Sequence, residues 1–250
     1  MSRQGTPVWY ELMTPDPDAA QGFYGKILGW SVSDSGMPGM DYRIAKAGEA
    51  MVAGMMRPPT DGIAPNWTIY FAVENCDSAV AAAQTAGASV CMEPTDIPGV
   101  GRFATLADPQ GAAFCILQGV GDGDGQAFDQ KKTGHGNWHE LMSSDPKAAL
   151  AFYGRLFGWK PSTAHDMGSM GIYQVFSHQG QDIGGMMGLG NAPMPCWLPY
   201  FGVNGIGAAM ARITANGGTT VMGPREVPGG AFILVAQDPQ GAVFALVGPK

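Results

Sequence analysis

A segment of 22 residues occurs twice in the chain, and this repeat constrains the fold more than any other feature of the sequence. Trp9–Trp30 reads WYELMTPDPDAAQGFYGKILGW and Trp138–Trp159 reads WHELMSSDPKAALAFYGRLFGW. Three further motifs recur at nearly the same separation: GMM at 54–56 and 185–187, W-x-x-Y-F-x-V at 67–73 and 197–203, and DPQGA-x-F at 108–114 and 238–244. The chain is therefore a tandem duplication.

The duplication predicts how 250 residues divide into domains. We expect a first module over 1–118, a Gly- and Asp-rich linker over 119–136, and a second module over 137–250. Hydrophobic residues make up 45% of the chain and charged residues 14%, with 38 Gly. This composition is typical of compact domains with many tight turns rather than of disordered chains.

Within each module the hydrophobic pattern alternates between strand and helix periods. Residues 7–13 alternate as a strand, and Asp16-Pro17 then supplies an N-cap and a proline at the first helical position. The helix is predicted to run to about Leu28 and to stop at Gly29. Three short strands follow, and the same order returns after a second helix at 75–86. The predicted class is α+β, with four βαβββ units in two tandem modules.

Charge and apolar content restrict the partners of the protein. The formal net charge is −7, which argues against nucleic acid or an anionic membrane as a partner. No apolar run is long enough to span a bilayer, and the start MSRQGTP lacks the apolar segment of a signal peptide. We expect a cytoplasmic monomer or homodimer whose four cysteines are reduced.

The paired motifs resemble those of the vicinal oxygen chelate superfamily, which includes glyoxalase I, extradiol dioxygenases and the bleomycin resistance proteins. The resemblance rests on the opening strand followed by D-P-x-x-A-x-x-FY-x-x-x-x-GW and on the closing strands introduced by DPQG. W-x-E-L-M in both modules is similar to tandem, glyoxalase-like bacterial proteins. The resemblance implies two cupped mixed sheets and a metal site whose His and Glu ligands come from the opening and closing strands.

The positions that the family uses for metal ligands hold other residues here. Trp9 and Trp138 stand where a ligand His is usual, and Cys115 and Ala245 stand where a ligand Glu is usual. The central strands, which supply a His in dioxygenase-type relatives, carry Thr68 and Leu198 at the corresponding step. Indole has no lone pair for a divalent ion, so we expect neither a metal nor another cofactor.

The opening strands instead offer a carboxylate. A period of two places Trp9, Glu11 and Met13 on one face. The second copy places Trp138, Glu140 and Met142 in the same way, and in the family this face lines the cup. Glu11 and Glu140 are therefore candidate general acids or bases, or anchors for a cationic or hydroxylated ligand. The alternative is that each Glu accepts backbone donors or pairs with Arg at the sheet edge.

Further candidates for a ligand cavity are Tyr70 and Tyr200 on the central strands and Cys115 on a closing strand. Packing of each tyrosine in the core is the competing interpretation. His139 replaces Tyr10 on the outward step of its strand and is predicted to pack under a helix.

The sequence thus favours a metal-independent, glyoxalase-like protein that binds a small apolar or aromatic molecule in a cavity lined by Trp, Tyr and Met. The rival hypothesis is a lyase, isomerase or hydrolase that transfers a proton through Glu11 or Glu140. A third is a structural partner whose cups are empty.

Overall fold

The computed structural model describes residues 4–60, 62–121 and 125–250. The first repeat contains two helices and eight strands. In chain order they are β1 (Pro7–Met13), α1 (Pro17–Leu28), β2 (Ser31–Asp34), β3 (Tyr42–Ala47), β4 (Ala50–Met56), β5 (Asn66–Ala72), α2 (Cys76–Thr85), β6 (Ser89–Ile97), β7 (Gly101–Ala107) and β8 (Ala113–Gly119).

The second repeat has the same order and adds a short 3-10 turn at Gly168–Met170. Its elements are β9 (Gly136–Met142), α3 (Pro146–Phe157), β10 (Lys160–Asp166), β11 (Ile172–His178), β12 (Gln181–Met187), β13 (Cys196–Gly202), α4 (Ile206–Ala215), β14 (Thr219–Glu226), β15 (Phe232–Gln237) and β16 (Val243–Gly248). The four predicted βαβββ units are confirmed.

Local capping residues set the ends of α1. The Asp16 side chain accepts a hydrogen bond from the Ala19 backbone N–H at 3.0 Å, and Pro17 occupies the first turn. Gly29 ends the helix in the left-handed conformation, with φ of 73°. Helix α3 repeats this arrangement with Asp145 and Gly158. The predicted helix limits are therefore confirmed.

The strands form two eight-stranded mixed sheets. Their orders are β2-β3-β4-β1-β5-β8-β7-β6 and β10-β11-β12-β9-β13-β16-β15-β14. Strand β1 pairs in parallel with β4, with Glu11 opposite Gly54, and β9 pairs in parallel with β12, with Glu140 opposite Gly185. The short strands on either side pair as antiparallel hairpins, as their glycine-rich turns predict. The predicted α+β class is confirmed.

The described residues divide into two compact units, each with segments from both repeats. The first unit contains the chain up to Val8, Ile69–Gly125 and Trp138–Trp197. The second unit contains Trp9–Thr68, Gln126–Asn137 and Leu198–Lys250.

A hydrogen-bonded network lies in the core of the first unit. The Trp197 indole N–H donates to the Tyr153 hydroxyl at 3.0 Å, and Tyr153 donates to Asp108 Oδ2 at 3.1 Å. Asp108 Oδ1 accepts the backbone N–H groups of Gln110 and Ala112, both at 2.9 Å. Desolvation raises the pKa of the Asp108 carboxyl. The aspartate of the predicted DPQG turn is therefore also a buried acceptor.

The second unit has the same network. Trp67 donates to Tyr24 at 2.9 Å, and Tyr24 donates to Asp238 Oδ2 at 2.9 Å. Asp238 Oδ1 accepts the N–H groups of Gln240 and Ala242. In each unit the tyrosine of Phe-Tyr-Gly, a central-strand tryptophan and the aspartate of DPQG meet, so these repeated motifs serve the core.

The segment between the repeats makes specific contacts. Ala127 and His135 are buried, and the Trp30 indole N–H donates to the Gly134 carbonyl at 2.7 Å. Phe128 forms an isolated bridge with Gly136. The composition of the segment between the repeats, rich in Gly and Asp, did not predict this packing, because the contacts are made mainly by backbone groups and small side chains. Residues 122–124 of the predicted linker lie outside the described residues.

Among the described residues, no helix has the length and apolar character that crossing a bilayer requires.

Candidate functional site

The two faces of β1 differ in burial. Tyr10 and Leu12 are fully buried on one face, whereas Trp9 and Met13 on the other are only half-buried. Glu11 lies between Trp9 and Met13 and keeps 6% of its surface exposed. Burial does not alternate strictly along the strand, because Glu11 is also buried. The Glu11 carboxylate is therefore bordered by the partly exposed indole of Trp9 and the partly exposed thioether of Met13.

Tyr42 of β3 joins Trp9 to Glu11 in the second unit. The Trp9 indole N–H donates to the Tyr42 hydroxyl at 2.9 Å, and that hydroxyl donates to Glu11 Oε2 at 3.1 Å. A Cβ atom at Gly54 would collide with the Tyr42 hydroxyl and lie 3.1 Å from the Trp9 indole nitrogen. Glycine at the first position of Gly-Met-Met is therefore required for the tyrosine to lie across the strand.

The first unit contains the equivalent cluster from the second repeat. Trp138 donates to the Tyr173 hydroxyl at 2.8 Å, and Tyr173 is hydrogen-bonded to Glu140, which is 9% exposed. Burial and the negative charge of Glu140 raise the pKa of Tyr173 well above its usual value. The phenol is thus protonated at neutral pH and remains a donor. Gly185 lies under the Tyr173 ring.

The sequence analysis missed Tyr42 and Tyr173. The signal was present, because the two tyrosines are separated by 131 residues, as are Gly54 and Gly185. A tyrosine that keeps the register of the Gly-Met-Met motif marks a side chain paired with that glycine. We call these two arrangements, Trp9–Tyr42–Glu11 and Trp138–Tyr173–Glu140, the Trp–Tyr–Glu clusters.

Of the other predicted residues, Tyr70 and Cys115 lie together in the first unit. They are register partners on β5 and β8, and both are buried. The Tyr70 ring packs at 6.0 Å from Phe103, and Cys115 Sγ lies 3.3 Å from the Thr105 hydroxyl. The packing role considered for Tyr70 therefore has a specific partner.

Tyr200 and Met142 complete the predicted set. Tyr200 is buried in the second unit and pairs with Ala245. Met142 is half-buried at the end of β9, two residues from Glu140. The structure thus groups Trp and Glu of the opening strands with a Tyr of β3 or β11, while Tyr70, Cys115 and Tyr200 belong to the central and closing strands.

The residues at the metal-ligand positions of the family do not fit a divalent ion. Both indole N–H groups at Trp9 and Trp138 are donors to tyrosine, and Ala245 has no ligand atom. The Cys115 thiol is a lone candidate in contact with Thr105. Across the described part of the chain, no group of three or more His, Cys, Asp and Glu side chains is arranged to hold a metal ion.

Cys196 is near the second cluster. Burial and the charge of Glu140 raise the pKa of its thiol, so the thiol stays protonated at neutral pH and is a poor nucleophile.

Among the described residues, each unit has an open cleft. That of the second unit has a volume of about 890 Å³ and that of the first about 500 Å³. Neither of these two clefts is lined by a predicted site residue.

Comparison with known proteins identifies relatives over the whole chain. The family model of the Glyoxalase/Bleomycin resistance protein/Dioxygenase superfamily matches residues 6–116 and 136–246. "Putative glyoxylase CFP32" of Mycobacterium tuberculosis is 34% identical over 259 residues, covering 99% of this chain and 96% of that protein. Anthracycline biosynthesis protein DnrV of Streptomyces peucetius is 33% identical over 266 residues, covering 97% of this chain and 93% of that protein.

Solved structures show the same fold at low identity. The Mn(II)-bound glyoxalase from Novosphingobium aromaticivorans has a TM-score of 0.66 and 19% identity, covering 99% of this chain and 82% of that chain. A variant of homoprotocatechuate 2,3-dioxygenase from B. fuscum has a TM-score of 0.70 and 15% identity, covering 100% of this chain and 72% of that chain. The resemblance predicted from the repeated motifs is confirmed, and the chain belongs to the Glyoxalase/Bleomycin resistance protein/Dioxygenase superfamily.

Proposed function

We propose that this protein binds a small apolar or aromatic molecule at its Trp–Tyr–Glu clusters without a divalent metal. The observation that carries the proposal is the use of Trp9 and Trp138 as hydrogen-bond donors to tyrosine at positions where the family resemblance places a ligand His. Each indole is half-buried, so part of it is open to contact with a ligand.

The carboxylate gives each cluster a polar contact. Glu11 and Glu140 retain a small exposed fraction, and each accepts a hydrogen bond from a tyrosine hydroxyl. A carboxylate held in this way can accept a hydroxyl or ammonium group of a ligand that packs on the neighbouring indole. Met13 and Met142 supply adaptable apolar contacts beside it.

The names of two relatives support an aromatic ligand. DnrV and DauV are named as anthracycline biosynthesis proteins, and each is 33% identical to this chain. Anthracyclines are polycyclic aromatic compounds with hydroxyl groups. A ligand of that chemical class suits an indole surface bordered by a hydrogen-bond acceptor.

A second candidate function is proton transfer by Glu11 or Glu140 in a lyase, isomerase or hydrolase reaction. The observation that favours it is the near-complete burial of both carboxylates beside a fixed phenol donor. A carboxylate of this kind can remove a proton next to a carbonyl while the phenol holds its orientation. The name of the mycobacterial relative, which includes glyoxylase, is compatible with an enzyme.

The first experiment is native mass spectrometry of freshly purified protein, followed by identification of any released small molecule. Elemental analysis of the same protein, purified without chelator, should find no stoichiometric zinc, nickel, manganese or iron. One tightly bound equivalent of any of these metals would refute the metal-independent function.

The second experiment separates binding from catalysis. Quenching of tryptophan fluorescence by hydroxylated aromatic compounds should weaken at least tenfold in Glu11→Gln/Glu140→Gln if the carboxylates anchor the ligand. Glu49→Gln makes the same change at an exposed position and should bind as the wild type does. Retained binding with abolished turnover would support the enzyme instead. Unchanged binding in the double variant without turnover by the wild type would refute both the anchoring of the ligand and the proton transfer by these two carboxylates.

A further inference from the structure

The open cleft of the second unit has a strongly positive lining. Its charged side chains are Lys26, Lys131, Lys132 and Arg212, and none of its lining residues is Asp or Glu. The whole chain contains 14 Lys and Arg against 21 Asp and Glu. Four cations around one cleft of about 890 Å³ therefore depart from the charge balance of the protein.

Little of this charge is neutralised by carboxylates. Lys132 pairs with Asp129 at 3.2 Å. Lys26 donates instead to the neutral amide oxygen of Asn216 at 2.9 Å. Arg212 Nη2 donates to a backbone carbonyl at 3.2 Å, and its Nε is buried without a hydrogen-bond partner in the described structure. The cleft therefore favours an anionic ligand.

Helix α4 begins at this cleft without a side-chain cap. Its N-cap is Gly205, which has no side chain to accept a hydrogen bond from the first turn. Ala208, in that first turn, lines the cleft. In the equivalent helix α2, Asn75 caps the Ser78 N–H at 2.8 Å. The Ile206 N–H donates to the Pro249 carbonyl at 2.9 Å. Among the described residues, replacement of asparagine by glycine leaves the first-turn N–H groups of Gly207 and Ala208 without a side-chain acceptor, and they can donate to an anion.

His135 provides an independent indication of a ligand. His135 is one of the residues that line the cleft, and only 4% of it is exposed. Its Nδ1 lies 3.0 Å from the Thr133 carbonyl, and Nε2 is buried with no hydrogen-bond partner among the described residues. A buried nitrogen without a partner costs free energy, which a bound polar group or water would recover.

The equivalent region of the first unit is filled by its own side chains. Matching hydrogen bonds, Gly5 N to Ala72 O and Gly134 N to Gly202 O, establish the equivalence. There Gln4 donates to the Leu156 carbonyl at 3.0 Å and accepts the Glu74 N–H at 3.0 Å.

Two further differences distinguish this region of the first unit. Thr6 takes the place of His135, and the Thr6 hydroxyl lies 3.1 Å from His178 Nε2. In the second unit, Ala47 occupies the position equivalent to His178. Glu74 also places a carboxylate where the second unit has Asn204. The first unit thus contains the same local structure with the cleft filled by side chains and with an added carboxylate.

We propose that the cleft of the second unit binds a small molecule that carries a phosphate group, through Lys26, Lys131, Arg212 and the N-terminal N–H groups of α4. Phosphate suits this combination because its several oxygens accept both charged donors and convergent backbone N–H groups. The site contains no member of the Trp–Tyr–Glu clusters, and it therefore does not depend on the proposed function.

Isothermal titration calorimetry with inorganic phosphate and pyrophosphate, at low ionic strength, tests the proposal. We expect saturable binding to the wild type and at least tenfold weaker binding to Lys131→Ala/Arg212→Ala, since the double variant loses two charged hydrogen-bond donors to the anion. Arg225→Ala removes an exposed charge elsewhere in the second unit and should bind as the wild type does. Equal loss of affinity in Arg225→Ala, or no saturable binding to the wild type, would overturn the proposal.

Gly205→Asn offers a sharper variant because it should fold at least as well as the wild type. Gly205 has φ of −176°, which any residue adopts, and an added Cβ would approach only the backbone oxygen of Lys250, at 3.9 Å. Asparagine would restore the cap found at Asn75, occupy the Ala208 N–H and lower pyrophosphate affinity at least threefold. Gly205→Ala has no acceptor and should retain the affinity. Equal affinity in the asparagine and alanine variants would exclude the α4 N-terminus from the site.

Citrate provides a further arm of the titration. Binding of citrate with no binding of phosphate or pyrophosphate would overturn the assignment to a phosphate group. Tighter binding of pyrophosphate than of citrate, lost in Lys131→Ala/Arg212→Ala, would support it. Comparison of phosphate with a phosphate monoester then separates the free ion from an esterified ligand.

Discussion

His139 makes the stability of the protein depend on pH in a direction that can be calculated. Its ring is fully buried on β9, with Nδ1 2.8 Å from the Ile183 carbonyl. Burial lowers the pKa of His139 from its ordinary 6.5 to about 4. Between these two values the unfolded chain binds a proton that the folded protein does not, so stability decreases as the pH falls.

The size of the effect follows from the difference between the two pKa values. One pKa unit corresponds to about 1.36 kcal/mol, so a difference of about 2.5 units gives about 3.4 kcal/mol, of which about 3 kcal/mol is lost between pH 7 and pH 4. At about 2–4 °C of melting temperature per kcal/mol, the loss over this range is about 6–12 °C.

The assay compares urea unfolding of the wild type and His139→Gln at pH 7, 6, 5 and 4. Glutamine can still donate to the Ile183 carbonyl but does not titrate. Asp108, Asp238 and His178 also have shifted pKa values, but they contribute equally in both proteins and cancel in the difference. The variant should therefore lose about 3 kcal/mol less than the wild type over this range.

Parallel stability curves for the two proteins would refute this reasoning. If His139→Gln does not fold, the imidazole can be titrated directly by NMR in the wild type. A folded-state pKa near 6.5 would then show that burial does not exclude the charged form.

Three further predictions concern the core network and the first Trp–Tyr–Glu cluster. Tyr24→Phe removes the acceptor of the Trp67 indole and a donor to Asp238, and should lower the free energy of unfolding by about 3 kcal/mol in urea titrations. Gly54→Ala introduces a Cβ where the Tyr42 hydroxyl lies, and should weaken binding of an aromatic ligand at least tenfold in fluorescence titrations. Burial raises the pKa of Asp238, so the contribution of this carboxyl to stability decreases as pH rises from about 3.8 through the raised pKa. Asp238→Asn should remove this decrease from the free energy of unfolding, measured by urea titration at a series of pH values.

Each of these variants has a matched control. Tyr153→Phe makes the same change in the first unit and should cost a similar free energy. Gly22→Ala adds a methyl group on the exposed side of α1, where nothing lies within 4 Å, and should leave ligand binding unchanged. Losses below about 0.5 kcal/mol in both tyrosine variants would contradict the buried network. An unchanged pH slope in Asp238→Asn would contradict the desolvation of that carboxyl.

The sequence predicts α1 well because the signals for its ends are local. Asp16, Pro17 and Gly29 act within a turn of the helix they limit, and the strands around it follow a period of two. The same locality explains why the role of Asp108 was only partly predicted. Its turn involves neighbouring residues, whereas its bond to Tyr153 joins residues 45 positions apart.

Tyr42 illustrates the remaining limit of the sequence. It follows a loop that contains Gly, Pro and Met, and the hydrophobic pattern gives no reason to pair it with Trp9 and Glu11, 33 and 31 positions away. Only the pairing of β3 with β4, and the glycine beneath the ring, bring the three side chains together. Contacts of this kind depend on strand register, which periodicity alone does not determine.

The two repeats provide an internal test of which features serve the fold and which serve function. Tyr24 and Tyr153 are shared and fully buried, so packing accounts for them. Trp9 and Trp138 are shared but only half-buried, and packing alone does not require an indole donor at a partly exposed position. That argues for the same ligand-binding role in both copies. The two repeats differ at the start of the second helix, where the second unit has Gly205 and the first has Asn75. Glycine cannot form the capping hydrogen bond that asparagine forms, so this difference argues for a role that only the second unit has.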